Sequence, residues 1–67
     1  MDYDEIYEEA RTLTRNVRYY FYEWRRTLND DVKVKYDEAI EIWEEFVKEH
    51  GNELTHEDRV YFGIEEE

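Results

Sequence analysis

Apolar side chains in the first part of the chain recur at Tyr3, Ile6, Tyr7, Ala10, Leu13, Val17, Tyr20, Phe21, Trp24 and Leu28. The steps between them are 3, 1, 3, 3, 4, 3, 1, 3 and 4, which trace one face of an α-helix. This spacing predicts a helix over residues 3–28. Asp2, Asp4 and Glu5 stand where the helix dipole is positive, and Arg25 and Arg26 stand where it is negative, so both ends agree on direction.

Asn29-Asp30-Asp31 reads as a short turn that supplies an N-cap. A second helix is expected over residues 31–50, with Val32, Tyr36, Ala39, Ile40, Trp43, Phe46, Val47 and His50 on its apolar side. The alternation Val32-Lys33-Val34-Lys35-Tyr36 also fits a short strand, but a lone strand has nothing to pair with, so helix is preferred. Gly51 offers the left-handed residue that commonly ends a helix. Thr55 can cap a short third helix over residues 56–62, with Glu57 and Asp58 in its first turn. Val60, Tyr61 and Ile64 would face the hairpin, Gly63 would end the helix, and Glu65-Glu66-Glu67 would form a solvated acidic tail.

A connection of about three residues makes the two long helices antiparallel neighbours. At about 1.5 Å per residue they are roughly 39 and 30 Å long. The expected architecture is all-α, one small domain over residues 1–67, built as an antiparallel helical hairpin with a short C-terminal third helix. Trp43 is expected at the core centre, near Trp24 or Val17.

A chain of 67 residues buries only about 60% of its unfolded surface, and this one has no cysteine to staple it. Bulk comes from aromatic rings instead: two Trp, seven Tyr and three Phe, each removing about 150–250 Å² from water when buried. The acidic start Met1-Asp2-Tyr3-Asp4-Glu5 does not resemble a secretory signal, and no apolar run approaches the roughly 20 residues of a membrane span. A soluble, cytoplasmic protein is expected. Ser, Gln and Pro are absent, which suits a thermophilic or viral source or a designed sequence. Scarce Leu and Ala beside abundant Tyr favour a natural origin over design.

Twenty Asp and Glu against nine Lys and Arg leave a formal charge of −11. Such a charge repels nucleic acid and anionic membranes and attracts basic surfaces. Neither membrane binding nor direct nucleic-acid binding is expected. Disorder, common in acidic chains, is opposed by the regular apolar periodicity.

Candidate chemistry is sparse. Glu53 and His56 have the Glu-x-x-His spacing of di-iron helices, but such sites need matching carboxylates from neighbouring helices, and this pair straddles a loop and a helix cap. His50, Glu49 and Asp58 could at most complete a weak adventitious site, so no metal or other cofactor is expected. The chain has neither Ser nor Cys nucleophile nor a glycine-rich phosphate loop. Acidic side chains are plentiful, but acid–base catalysis needs one held in a cleft that shifts its pKa. No enzymatic activity is expected.

The surfaces say more. A wheel at about 100° per residue sets Arg11, Arg15, Arg18, Tyr19, Tyr22 and Arg26 opposite the apolar face of the first helix. Tyr and Arg are enriched at interface hot spots, although Arg stems lying over exposed rings give the same pattern on a plain solvated face. The solvent side of the second helix carries Asp37, Glu38, Glu41, Glu44, Glu45 and Glu49, interrupted by Lys48 alone. Carboxylates about 5–6 Å apart destabilise a helix by a few tenths of a kcal/mol per pair, which suits a face with a use, although an ordinary acidic solvent face gives the same pattern.

These features point to a small acidic module that binds a protein partner with a basic surface. It would act as an inhibitor or adaptor covering a nucleic-acid-binding surface in the manner of a DNA mimic. A phage-type inhibitor of a host enzyme would fit the size and charge. Two alternatives stand beside this: a homo-oligomer formed through the Arg/Tyr face, and a designed mini-protein without natural function.

Overall fold

A capping contact fixes the first residue of each helix. In a computed structural model, which describes residues 2–66, the Asp2 carboxylate accepts the Glu5 N–H at 2.9 Å and starts α1, Tyr3–Thr27. The Asn29 side chain accepts the Asp31 N–H at 2.8 Å and starts α2, Asp30–His50. The Thr55 hydroxyl accepts the Asp58 N–H at 3.2 Å and starts α3, His56–Tyr61. In every case a side-chain oxygen satisfies an N–H that has no partner inside the helix. The segment 32–36 is helical, not extended.

The chain reverses through Leu28-Asn29 alone. Leu28 takes a left-handed conformation at φ 51° and returns its N–H to the Trp24 carbonyl at 2.7 Å. Leucine there costs about 1–2 kcal/mol relative to a right-handed residue. It also points Leu28 into solvent, 71% exposed, so Leu28 closes the turn and does not extend the apolar face of α1.

The end of α2 also departs from expectation. Gly51 is right-handed (φ −56°, ψ −35°) and continues into a single 3-10 turn, Gly51–Glu53. Gly51 is buried, and a Cβ on it would lie 3.4 Å from a Val47 methyl. The left-handed glycine is Gly63, at φ 80°. It ends α3 by letting the Ile64 N–H reach the Arg59 carbonyl at 2.8 Å, the six-to-one bond of a Schellman-type cap.

α1 and α2 pack antiparallel as the predicted hairpin, and α3 closes one face of it. The core lies at the α3 end. Ile6, Ala10, Phe46 and Leu54 are buried together, with Leu13, Trp43, Phe62 and Ile64 packed around them. Trp43 stacks on Phe46 at 5.6 Å and meets Phe62 edge-on at 6.2 Å. It does not reach Trp24. Phe21 meets Tyr36 at 5.7 Å and the Lys33 ammonium sits 6.0 Å over the Trp24 ring. This register sets Trp24 in the turn half, two to three helical turns from Trp43. In the turn half only two helices are present, and Val17, Tyr20, Phe21, Trp24 and Val32 are half-buried. No helix among the described residues is long and apolar enough to cross a membrane.

The acidic end of the chain is not a free tail. Glu65 accepts from the Arg59 guanidinium at 2.7 Å and lies 2.7 Å from the His56 ring. These two contacts, His56 foremost, hold its carboxyl below the ordinary glutamate value of 4.5. Glu67 lies outside the described residues. At the other end of the latch, the Tyr3 hydroxyl donates to the Asp58 carboxylate, and the Arg59 guanidinium donates to the Leu54 carbonyl.

A carboxyl lowered on folding stabilises the fold above its unfolded pKa, and that contribution disappears as pH falls through the folded value. Residues 62–66 should therefore loosen below about pH 4.5. The Ile64 amide should lose hydrogen-exchange protection there before the helical hairpin unfolds. Glu65→Gln should show the same loosening at neutral pH. An Ile64 amide whose protection ignores both changes would show that Glu65 does not hold this turn.

Candidate binding surfaces

The fold divides each stripe read from the sequence. On α1, Arg11, Arg15 and Arg18 lie towards α3 and border a depression of about 250 Å³ with Thr14, Tyr61 and Phe62. Tyr61 is the most exposed large ring, at 75%. Tyr19 turns to the opposite side and borders a second depression with Tyr20, Glu23, Val32 and Lys35. Tyr22 stands between the two sides.

The arginines are not equivalent. Arg26 donates to Glu23 at 2.7 Å, and that carboxylate raises the guanidinium pKa above its ordinary value. Arg11 approaches Glu8 at 3.8 Å, a weak exposed pair. Arg15 and Arg18 have no carboxylate within ion-pair distance among the described residues. Among the described residues, the arginine whose guanidinium lies over a ring is Arg25, 5.6 Å from the centre of Phe21. Tyr19 touches Tyr20 edge-on at 5.2 Å, and Tyr22 touches Phe21 at 5.7 Å. Both remain largely exposed, at 59% and 60%.

On α2 the six carboxylates span a broad arc. Asp37 pairs with Lys33 at 3.5 Å, and Glu49 lies 3.8 Å from the His50 ring. Glu38, Glu41, Glu44 and Glu45 have no cationic partner among the described residues. Glu44 borders the α3 side, beside Ile40, Trp43 and Ile64. Glu38, Glu45 and Glu49 border the side facing away from α3, and Glu41 points outward between the two edges.

The Glu53/His56 pair is not brought together. His50 takes Glu53, at 2.6 Å, and His56 takes Glu65. The Asp58 carboxylate accepts from the Tyr3 hydroxyl. Among the described residues, no three His, Asp or Glu side chains converge as a metal site.

One surface residue lies outside the α2 stripe read from the sequence. Ile42 is 53% exposed, and it borders two depressions between α1 and α2. Its spacing from Ala39 and Phe46, three and four residues, was the available signal. It sits one step off the core-facing row, at the margin where a wheel cannot separate core from surface.

Comparison with protein-family models, with curated proteins and with solved structures finds no match to this chain.

The exposure of the two tyrosines has a direct consequence. Tyr19→Ala with Tyr22→Ala should cost about 1 kcal/mol or less in all, lowering the melting temperature by no more than about 4–8 °C. A drop of about 15 °C or more in a monomer would assign these rings to the packing that holds the hairpin together.

Proposed function

We propose that this protein is an acidic binding module that docks the carboxylate face of α2 on a basic surface of a partner protein, acting as an inhibitor or adaptor. The observation that carries this reading is the set Glu38, Glu41, Glu44 and Glu45, exposed on a 21-residue helix and without a cation within ion-pair distance among the described residues. The helix is held rigid by the packing of Phe46 and Trp43 behind it, so its charges are displayed at fixed spacing before a partner arrives.

The spacing also supports the kind of surface that would be covered. From Asp37 to Glu49 six carboxylates occupy about 18 Å of helix axis, or one per about 3 Å. Duplex DNA carries one charge per about 1.7 Å, and each of its strands one per about 3.4 Å. The helix thus matches the linear charge density of a single strand and about half that of a duplex. A partner groove lined by Lys and Arg for phosphates would accept it by charge. Occupying that groove would exclude nucleic acid without any chemistry. The net charge of −11 adds long-range steering, which raises the association rate more than it slows dissociation.

The test is matched capture from a host extract with wild-type protein and with Glu41→Lys, Glu45→Lys. The account expects a basic partner retained by wild type, released at about 1 M salt, where the Debye length is about 3 Å, and lost on the variant although its helical circular dichroism is unchanged. A partner held equally by both proteins, or one indifferent to salt, would refute docking through the carboxylates.

A further inference from the structure

α3 covers one face of the hairpin, and the opposite face carries a groove. Its central section, about 290 Å³, is floored by Leu13, Tyr20, Ala39 and Ile42. It shares Leu13 and Ile42 with a section of about 300 Å³ towards His50. It shares Tyr20 and Lys35 with one of about 240 Å³ towards the turn. The three depressions follow one another along a shallow groove between α1 and α2, sharing lining residues. Along α2 it runs from Val32 to Glu49, about 26 Å of helix axis. Leu13, Ala39 and Ile42 line its centre, and Ile42 is 53% exposed there.

The rims are acidic. Glu9, Glu23, Asp31, Glu38, Glu45 and Glu49 border the channel, against Lys35 and the His50 ring. An apolar centre inside a charged rim is the layout of a recognition surface.

We infer that this groove is a docking site for a basic amphipathic helix of a partner protein, of about 17 residues, which lies between α1 and α2 as the fourth helix of a bundle. The inference rests on the reading of an acidic, partner-binding module and names the partner's shape. A helix satisfies its own backbone hydrogen bonds and offers apolar residues at three- and four-residue intervals. It can fill a channel floored by Leu13, Tyr20, Ala39 and Ile42 while its Lys and Arg meet the carboxylate rims. On the other face, Phe62, the residue that follows α3, packs 5.3 Å from Tyr7 and 6.2 Å from Trp43. A second copy of the chain fits poorly, because it would bring two such rims, each on a protein of charge −11, against one another.

The probe is an 18-residue peptide of Leu and Lys with Leu on one helical face. A scrambled peptide of identical composition serves as its control, and both are titrated calorimetrically at low salt. Wild type should bind the amphipathic peptide about tenfold or more tighter than the scrambled one. Ile42→Gln, neutral and on an exposed position, should bring the two peptides to equal affinity, and Ile42→Leu should restore the difference. If both peptides bind equally and Ile42→Gln changes nothing, the groove is not the site, although the acidic docking surface stands. If neither peptide binds, the acidic docking surface falls together with the groove. Light scattering covers the remaining occupant: a dimer that strengthens with salt and is lost in Ile42→Gln would assign the groove to a second copy and overturn the inference.

Discussion

The contact among Ile6, Ala10, Phe46 and Leu54 is the constraint from which the rest of the structure follows. It joins the first turns of α1, the last turns of α2 and the segment leading into α3. Ala10 is fully buried, and its small side chain leaves room for the Phe46 ring between the helices. Burying a large side chain such as Phe46 contributes about 1.5–3 kcal/mol, and a domain of this size has few such contributions to spare. Around this point the partly buried rings of Trp43 and Phe62 form a second layer. Without it, like-charge repulsion along α2 would have little to oppose it.

Placing the core at one end determines what the other parts of the molecule can do. The turn half of the hairpin is two helices thick, and its rings meet through Phe21, which touches both Tyr22 and Tyr36. Because α3 is only six residues long, it seals one face near the core and leaves the other face open along its length. The open groove and the uncompensated carboxylates of α2 are therefore two consequences of the same architecture. One helix supplies Phe46 to the core, Ile42 to the groove and Glu41 to the outer surface.

Most of this fold is legible in the sequence. The three helices, the cap at Thr55, the hairpin and the stop at Gly63 follow from periodicity and end-group chemistry, whereas Asp2 is read there only as a charge at the helix dipole and the second cap only as the turn Asn29-Asp30-Asp31. The elements that escaped depend on tertiary geometry. Gly51 looks like a left-handed stop, but it is right-handed and the chain runs on as a 3-10 turn. Trp43 and Trp24 look like core partners on separate wheels, yet the antiparallel register sends one to each end. Leu28 continues the apolar step pattern of α1 but is consumed by the two-residue reversal. Glu65 belongs by composition to an acidic tail, and only the fold brings His56 and Arg59 to it. The surface stripes were legible as exposed residues. Their division by α3, and the groove that Ile42 helps to floor, were not, because a wheel has no neighbours.

The central claim, that stability is concentrated where α1, α2 and α3 meet and falls away towards the turn, is open to direct measurement by residue-resolved amide hydrogen exchange at neutral pH. Exchange free energies approach the global stability only in the most firmly packed unit. The account predicts the slowest amides in 10–14 of α1 and 43–47 of α2, with progressively faster exchange through 17–36 despite unbroken helical hydrogen bonding. Slowest exchange around Phe21, Trp24 and Tyr36, or equal protection along both helices, would contradict it.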